Sequence, residues 1–229
     1  MPATQGVPNP KPIKTSDLKS RIMNVATPNN YLLRFAPPQA VQNFMSQRGE
    51  AYSNIGGDIE LRVISTTTPG TSFLTHSVAN DYPGVVEEIP YRRAYESSIT
   101  MTLMVDNNYD TQVFFENWID CMSGVGDNLN ASRNDYKNSA AVNYRMNFYG
   151  GPSGYKTNIY LTKFEKDVAE FGNIRSSRPN VPGLRYTLID AYPKQINSME
   201  LNYGPTTDFL RLSVVFGYSR YVSERVKIQ

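Results

Sequence analysis

Several segments of this sequence alternate between hydrophobic and polar residues with a period of two. In residues 98–105, "SITMTLMV", Ile99, Met101 and Leu103 fall on one face of an extended chain and Ser or Thr mostly on the other. This pattern is typical of a half-buried β-strand. Residues 209–221 alternate over a greater length and carry large side chains on both faces. We predict a strand in each segment and expect the longer strand to have two surfaces to cover.

Shorter apolar runs bounded by Gly, Pro and Asn predict the remaining strands. These runs cover residues 29–35, 58–65, 85–95, 140–149, 155–166 and 184–192. Pro90 interrupts the third run, so we expect it to be an edge strand or to leave the sheet. The "GGPSG" segment predicts a hairpin between residues 140–149 and 155–166, whereas residues 66–84, with two Pro-Gly pairs, are expected to form a long loop.

One segment has a helical period instead. In residues 109–124, Phe114, Trp118 and Met122 recur every four positions, the preceding "DNN" offers a cap, and Gly124 ends the pattern. Residues 39–57 allow a second, short helix. Seven or eight strands with one clear helix predict a mainly β fold, an antiparallel β-sandwich or barrel with the helix packed on its side and long loops.

The first 28 residues differ from the rest in composition. They contain five of the 15 prolines, and their charge is concentrated in four basic residues, Lys11, Lys14, Lys19 and Arg21, against Asp17. The formal net charge of +2 therefore divides into +3 for this segment and −1 for the remainder. We predict an extended N-terminal arm that lies against a partner, followed by a single β domain over residues 29–229. The domain shows no basic cluster of the kind that binds nucleic acid.

Residues suited to catalysis or metal binding are scarce. His76 is the only histidine, Cys121 falls on the predicted helix, and Glu87 and Glu88 are adjacent, so a strand would direct them to opposite faces. No Cys/His cluster has the spacing of a metal site. We therefore predict no catalytic residue, no cofactor and no metal. A single cysteine excludes an internal disulfide, and the chain has neither an apolar run of about 20 residues nor the apolar core of a signal peptide, which indicates synthesis in a reducing cytoplasm and no membrane anchor.

The order of these parts resembles a known family. "PNNYLLRF", then "YPGVVEEIPYRRAYESSITMTLMVDNNYDTQVFFENWIDCMSG", and finally "AYPKQINSMELNYGPTTDFLRLSVVFGYSRY" are similar in sequence and order to the tail tube proteins of contractile-tailed, T-even-like bacteriophages. The resemblance covers more than half of the chain. The arm and residues 36–58, 124–140 and 172–183 depart from it, and similar additions occur in the baseplate proteins that initiate the tube and share its fold.

The resemblance implies a structural protein of the phage tail, without catalysis. It implies self-association into stacked six-fold rings, in which strands of neighbouring copies form one barrel around a channel for DNA, with tail sheath and baseplate proteins as further partners. The lumen is expected to be polar and to pass DNA without specific binding. Two alternatives stay open: a baseplate-proximal tube initiator of the same fold, and a β-sandwich module that binds glycan or protein. The abundance of Tyr would suit the binding module.

Contacts between copies are predicted in two groups. For stacking between rings we expect the arm, with its four basic residues, and the loop at residues 128–137, which includes Asn134, Asp135, Tyr136 and Lys137. For lateral contacts we expect one segment in the third predicted strand and the end of the last strand. Their residues are Pro90, Tyr91, Arg92, Arg93, Tyr218, Arg220 and Tyr221.

Overall fold

A computed structural model describes residues 26–50, 59–78, 84, 86–123, 154–164, 181–203 and 209–228. Within these ranges lie nine β-strands and two α-helices. The strands are β1 (Tyr31–Phe35), β2 (Val63–Thr66), β3 (Thr71–Val78), β4 (Glu87–Tyr95), β5 (Ser98–Met104), β6 (Thr157–Phe164), β7 (Val181–Ile196), β8 (Arg211–Gly217) and β9 (Arg220–Ile228). The helices are α1 (Gln39–Gln47) and α2 (Asp110–Ser123), and a 3-10 helix covers Glu60–Arg62.

Seven of the strands form one antiparallel sheet. Its order is β1-β6-β7-β8-β5-β2, and β9 pairs with β7 beside β8. The other two strands, β3 and β4, form a separate two-stranded sheet and pair only with each other among the described residues. The mainly β, antiparallel fold with a packed helix is confirmed.

The long strand β7 connects two halves of the large sheet. Its first part pairs with β6 as far as Ala191 and with β9 as far as Ile189, whereas residues from Tyr192 onward pair with β8. Asp190 lies between the two parts with a φ of 57°, a left-handed conformation that Asp tolerates better than most residues. Its backbone N–H donates to Asn158 Oδ1 at 3.4 Å, and the Ser219 N–H donates to the Ile189 carbonyl at 3.0 Å. The sheet therefore bends here, and both halves contribute to one core.

Helix α2 covers this core with aromatic residues. Phe114, Phe115 and Trp118 are fully buried, and their rings contact Phe35 of β1 and Phe216 of β8 at centroid distances of 5.8 to 6.4 Å. The Trp118 indole N–H donates to the Tyr155 carbonyl at 2.9 Å, which satisfies its one polar group. The spacing of apolar residues in α2 thus predicted the buried face correctly.

Asp106 fixes the start of α2. Its carboxylate accepts hydrogen bonds from the backbone N–H of Thr111 at 3.1 Å and of Asp110 at 3.3 Å, and it forms an ion pair with Arg62 at 2.7 Å. Burial alone would raise the pKa of Asp106, but these two N–H groups and the Arg62 guanidinium hold it below its ordinary value. The predicted cap is confirmed, and Arg62 joins β2 to the helix.

Some predicted elements differ from the structure. Residues 71–78, expected within a long loop, form β3, and the expected strand over 209–221 is two strands separated at Tyr218 and Ser219 and continuing to Ile228. The second strand begins at Val63 rather than 58, because Glu60 and Arg62 lie in the 3-10 helix and bond to Phe35 N–H and Asp106. The count of strands was accordingly low. The strand predicted at 140–149 lies outside the described residues.

Candidate functional site

The sheet of β3 and β4, called the hairpin below, projects from the body with both faces exposed. Every residue of β3 from Thr71 to Ser77 and of β4 from Glu87 to Arg93 is exposed. Four of these side chains are large and hydrophobic: Phe73, Leu74, Ile89 and Tyr91, with exposed fractions from 44% to 67%. A two-stranded hairpin is marginally stable alone in water, so this one needs support at its base or a partner on its faces.

The base of the hairpin is held by aromatic and cationic side chains. The Arg93 guanidinium lies 4.7 Å from the ring centroid of Tyr95 and 5.7 Å from that of Tyr221, and the two rings meet edge to face at 5.6 Å. Arg93 Nε also donates to Thr71 Oγ1 at 3.0 Å, across the hairpin. Stacking and cation–π contacts of this kind favour a fixed orientation of the hairpin relative to β9.

A second set of contacts closes the same base. The Glu96 carboxylate accepts a hydrogen bond from the Gly70 N–H at 3.0 Å, and the Glu96 N–H donates to the Gly70 carbonyl at 3.1 Å. Tyr218 lies beside this turn and is only 6% exposed, and its hydroxyl has no hydrogen-bond partner within the described part of the chain. Burial, with smaller contributions from Glu96 and Tyr221, raises the pKa of Tyr218 to about 12. The base is thus ordered, whereas the rest of the hairpin has no covering layer.

A second group of exposed hydrophobic side chains lies at the opposite end of β5. Met104 ends β5 and pairs with Arg211, whose guanidinium lies 5.0 Å from the ring centroid of Phe209. Leu61 adjoins Arg62, which is bound to Asp106, and the Tyr109 N–H donates to the Asp106 carbonyl. We call this group the β2-end surface. It comprises Leu61, Ile64, Met104, Tyr109 and Phe209, which are 37% to 72% exposed.

Three strands of the large sheet leave backbone edges open within the described residues. β1 pairs only with β6, β9 only with β7, and β2 only with β5. Open edges present rows of unpaired N–H and C=O groups that can pair with another chain. Together with the hairpin and the β2-end surface, they give the described part of this fold several surfaces suited to association.

Of the residues predicted as lateral contacts, Arg93 and Tyr221 meet at the base of the hairpin. Pro90, Tyr91 and Arg92 are exposed on β4, and Arg93 packs against Tyr221. Arg220 is exposed at the start of β9, whereas Tyr218 belongs to the core beside them. The residues predicted for stacking, in the arm and at positions 128–137, lie outside the described residues.

The side chains that were considered for catalysis or metal binding lie on different elements of the structure. His76 lies on exposed β3, Cys121 is buried in α2, and Glu87 and Glu88 pair with successive residues of β3, which places them on opposite faces. In the described ranges no group of three or more His, Cys, Asp or Glu residues could hold a metal ion. None of the helices within those ranges combines the length and the hydrophobicity needed to cross a membrane.

Sequence reasoning missed part of the exposed surface. Phe73 and Leu74 were placed in a loop, and Leu61 and Ile64 in an ordinary strand, so neither pair was considered for contacts. The available signal was the run "TSFLTHSV" between two Pro-Gly pairs, which has the β-branched and aromatic content of a strand.

Comparison with known proteins gives one family and several distant folds. The model of a family described as phage tail tube protein matches residues 26–224. No curated protein matches the sequence significantly. Among solved structures, a chain of the PVC sheath–tube complex of an extracellular contractile injection system, in its extended state, is 12% identical with a TM-score of 0.48, over 94% of this chain and 100% of that one. A chain of the anti-feeding prophage baseplate is 11% identical with a TM-score of 0.48, over 88% and 96%.

Proposed function

Since this chain belongs to the phage tail tube protein family, we propose that it assembles with copies of itself into stacked six-fold rings that form the tube of a contractile phage tail. The family match over residues 26–224 carries this proposal. The open edges of β1 and β9 support it, because a ring of copies can pair every strand edge. The tube is a passive conduit for DNA, surrounded by a sheath and attached to a baseplate, and its subunits are made in the host cytoplasm.

Electron microscopy of the purified full-length protein tests the assembly directly. We expect rings with six subunits and, at higher concentration, stacks of rings with a continuous channel. Particles that stay monomeric at high concentration would contradict the proposal, and glycan binding by such monomers would favour the binding-module alternative. Copy number in virions separates tube from baseplate initiator, because a tube needs many rings and an initiator one.

For the channel wall we propose the outer face of β5 and β8. The residues proposed to line it are the uncharged pairs Thr100 with Val215 and Thr102 with Ser213, whereas Met104, which pairs with Arg211 at the end of this ladder, belongs to the β2-end surface. Uncharged, small side chains suit a wall that passes DNA, since each added cation at a phosphate increases affinity in a salt-dependent way. The double change Thr100→Lys and Thr102→Lys should therefore make assembled tubes bind duplex DNA at low salt.

A matched variant controls for added charge alone. Thr187→Lys adds a lysine to the part of β7 that pairs with β6 and β9, outside the β5–β8 face. This variant should leave DNA binding unchanged. Fluorescence anisotropy of a labelled short duplex, measured across a salt series, gives the comparison. Equal binding by both variants would show that the β5–β8 face does not line the channel.

The arm, residues 1–28, is proposed to connect successive rings, as is the loop at 128–137. Deleting residues 1–28 should shorten or abolish stacks while single rings still form, because every strand and helix that the structure describes lies after residue 28. Ring and stack populations counted in micrographs measure this effect. Stacks of normal length would assign ring-to-ring contact to other residues.

A further inference from the structure

We propose that the hairpin of one copy docks on the β2-end surface of the next copy, in a head-to-tail contact that repeats around the ring. The inference rests on the proposed function, since it names the two surfaces through which copies associate. Three features of the described residues support it: the position of the two surfaces, their hydrophobic content, and the way the hairpin is held.

The two surfaces lie at opposite ends of one strand. The hairpin leaves the body through Glu96, just before β5 begins at Ser98, whereas the β2-end surface surrounds Met104, where β5 ends. Strand residues rise about 3.4 Å each, so the two sites are separated by roughly 20 Å along β5. Two different surfaces on opposite ends cannot pair with themselves in one contact. They suit a heterologous contact, which produces a closed ring when the rotation between copies closes.

The hydrophobic content of the hairpin calls for a partner. Phe73 and Tyr91 are 61% and 67% exposed, and since an aromatic side chain presents roughly 150–250 Å², these two leave on the order of 250 Å² uncovered. A stable interface covers about 800 Å² on each partner, so the hairpin residues, with Leu74 and Ile89, supply a substantial share of one. The β2-end surface offers a comparable set, with Leu61 72% exposed at its edge.

The base of the hairpin prepares it for docking. Arg93, Tyr95 and Tyr221 hold its orientation, and Glu96 bonds twice to Gly70. An element that is already oriented loses less conformational entropy on binding. A covering layer from the same chain is absent over the described residues of β3 and β4, which are exposed from Thr71 to Ser77 and from Glu87 to Arg93. In the proposed ring, a second copy supplies this layer.

Complementation between two variants of the full-length protein tests the contact. The hairpin variant carries Phe73→Thr and Tyr91→Thr, which remove the aromatic rings but introduce β-branched residues that favour a strand. The surface variant carries Leu61→Gln and Ile64→Thr. Each variant alone should need at least about tenfold more protein than the wild type to form rings, as expected when central apolar anchors of an interface are removed.

The mixture of the two variants discriminates between modes of association. A surface variant keeps its hairpin and a hairpin variant keeps its β2-end surface, so the mixture should form one-to-one dimers that extend no further. Mass photometry and sedimentation velocity measure these species. Tyr160→Thr, which removes an exposed aromatic side chain from β6, serves as the control and should assemble like the wild type.

Three outcomes would overturn the proposal: normal assembly of the hairpin variant, normal assembly of the surface variant, or failure of the mixture to form dimers. A cysteine pair tests the contact between copies separately from the proposed tube function. With Cys121→Ala in both proteins, Tyr91→Cys on one copy and Ile64→Cys on another should form a disulfide between copies under mild oxidation. Rings without this crosslink would leave the tube function standing and exclude the contact. A crosslink without rings would support the contact and contradict the tube, and the absence of both would exclude contact and tube together.

Discussion

The body of the molecule and its hairpin use the same kinds of side chain in opposite environments. In the body, Phe114, Trp118 and Phe216 are fully buried, and the Trp118 ring meets the other two edge to face. In the hairpin, Phe73 and Tyr91 are more than half exposed. Composition does not distinguish the two regions. The body has a helix lying over its sheet, and the described residues of the hairpin have nothing over either face.

The two regions differ in the layer that covers their hydrophobic residues. A sheet face with hydrophobic residues becomes stable when a second layer covers it, and α2 supplies that layer for the body. The chain keeps the base of the hairpin rigid through Arg93 and Tyr221 while its faces stay open. Such an arrangement fits an element whose second layer is another copy of the chain. The predictions below separate residues that stabilise the single chain from residues reserved for association.

The largest effect is expected at the centre of the body. Trp118→Ala should lower the free energy of unfolding by about 3–5 kcal/mol, because it opens a cavity between α2 and Phe35 and Phe216. It also leaves the Tyr155 carbonyl without its donor. Urea unfolding followed by circular dichroism measures the change. Tyr160→Ala, at an exposed position of β6, is the matched control, and a loss below about 1 kcal/mol for Trp118→Ala would show that α2 does not cover the core.

A smaller but clear effect is expected at the start of α2. Asp106→Ala removes the carboxylate that accepts from Thr111 and Asp110 and pairs with Arg62, so the free energy of unfolding should fall by about 1–3 kcal/mol. Because the pKa of Asp106 is lower in the folded chain than its ordinary value, its stabilisation is present above the unfolded pKa of about 3.9 and is lost as the pH falls through the folded value.

The pH dependence supplies the control for this site. Asp106→Asn keeps the size of the side chain and removes its charge, so its deficit relative to the wild type should be largest near neutral pH and should shrink below pH 4. Urea unfolding at several pH values measures the deficit. A deficit independent of pH would mean that charge at Asp106 contributes nothing.

The main architecture could be predicted because local pattern and burial agree. In β5, alternation placed Ile99, Met101 and Leu103 on one face, and all three are buried. In α2, the four-residue spacing identified Phe114, Trp118 and Met122, which are buried as well. For these elements one face is covered within the chain, so the residues that are hydrophobic in the sequence pattern are the residues that are buried in the structure.

The sequence pattern failed to predict the structure where neither face of a strand is covered, or where the structure depends on contacts with distant parts of the chain. β3 has exposed residues on both faces, so its sequence shows no clean alternation, and the Pro-Gly pairs around it favoured a loop. The break at Tyr218 and Ser219 depends on the bend at Asp190, which bonds to Ser219 from another strand. The β2-end surface likewise combines residues from three parts of the chain, which no local pattern can bring together.

Tyr218 allows a test of the hairpin base that changes no packing. Tyr218→Phe removes a buried hydroxyl that has no partner among the described residues, so the free energy of unfolding at pH 7 should change by less than about 1 kcal/mol. Its pKa of about 12 in the folded chain exceeds the ordinary value of about 10. The neutral form therefore stabilises the fold below pH 10, and this contribution is lost as the pH rises through 12.

The variant should lack that alkaline loss. Between pH 9 and pH 11.5, the wild type should lose more stability than Tyr218→Phe, as measured by urea unfolding across this interval. Tyr160→Phe, at an exposed tyrosine, is the matched control and should follow the wild type. Identical alkaline profiles for wild type and Tyr218→Phe would place the hydroxyl in contact with solvent.

The smallest effect on the single chain is expected in the hairpin. Phe73→Thr and Tyr91→Thr each remove an aromatic ring, yet both rings are mostly exposed, so each change should alter the free energy of unfolding of the monomer by no more than about 0.5 kcal/mol. Urea unfolding at concentrations too low for association gives this value. The comparison with Trp118→Ala then measures how much an aromatic side chain contributes to the free energy of unfolding in the body and in the hairpin.

Hydrogen exchange compares the stability of the hairpin with that of the body within one protein. In the dilute monomer, amides of β3 and β4 should exchange much faster than those of β5 and β8, since few buried contacts protect an exposed two-stranded sheet. On assembly, protection should rise in the hairpin and stay nearly constant in β5 and β8. A hairpin already protected in the monomer, or a loss above about 1.5 kcal/mol for Tyr91→Thr, would mean that its faces are covered by its own chain. Association would then have to use other surfaces, such as the open edges of β1, β2 and β9.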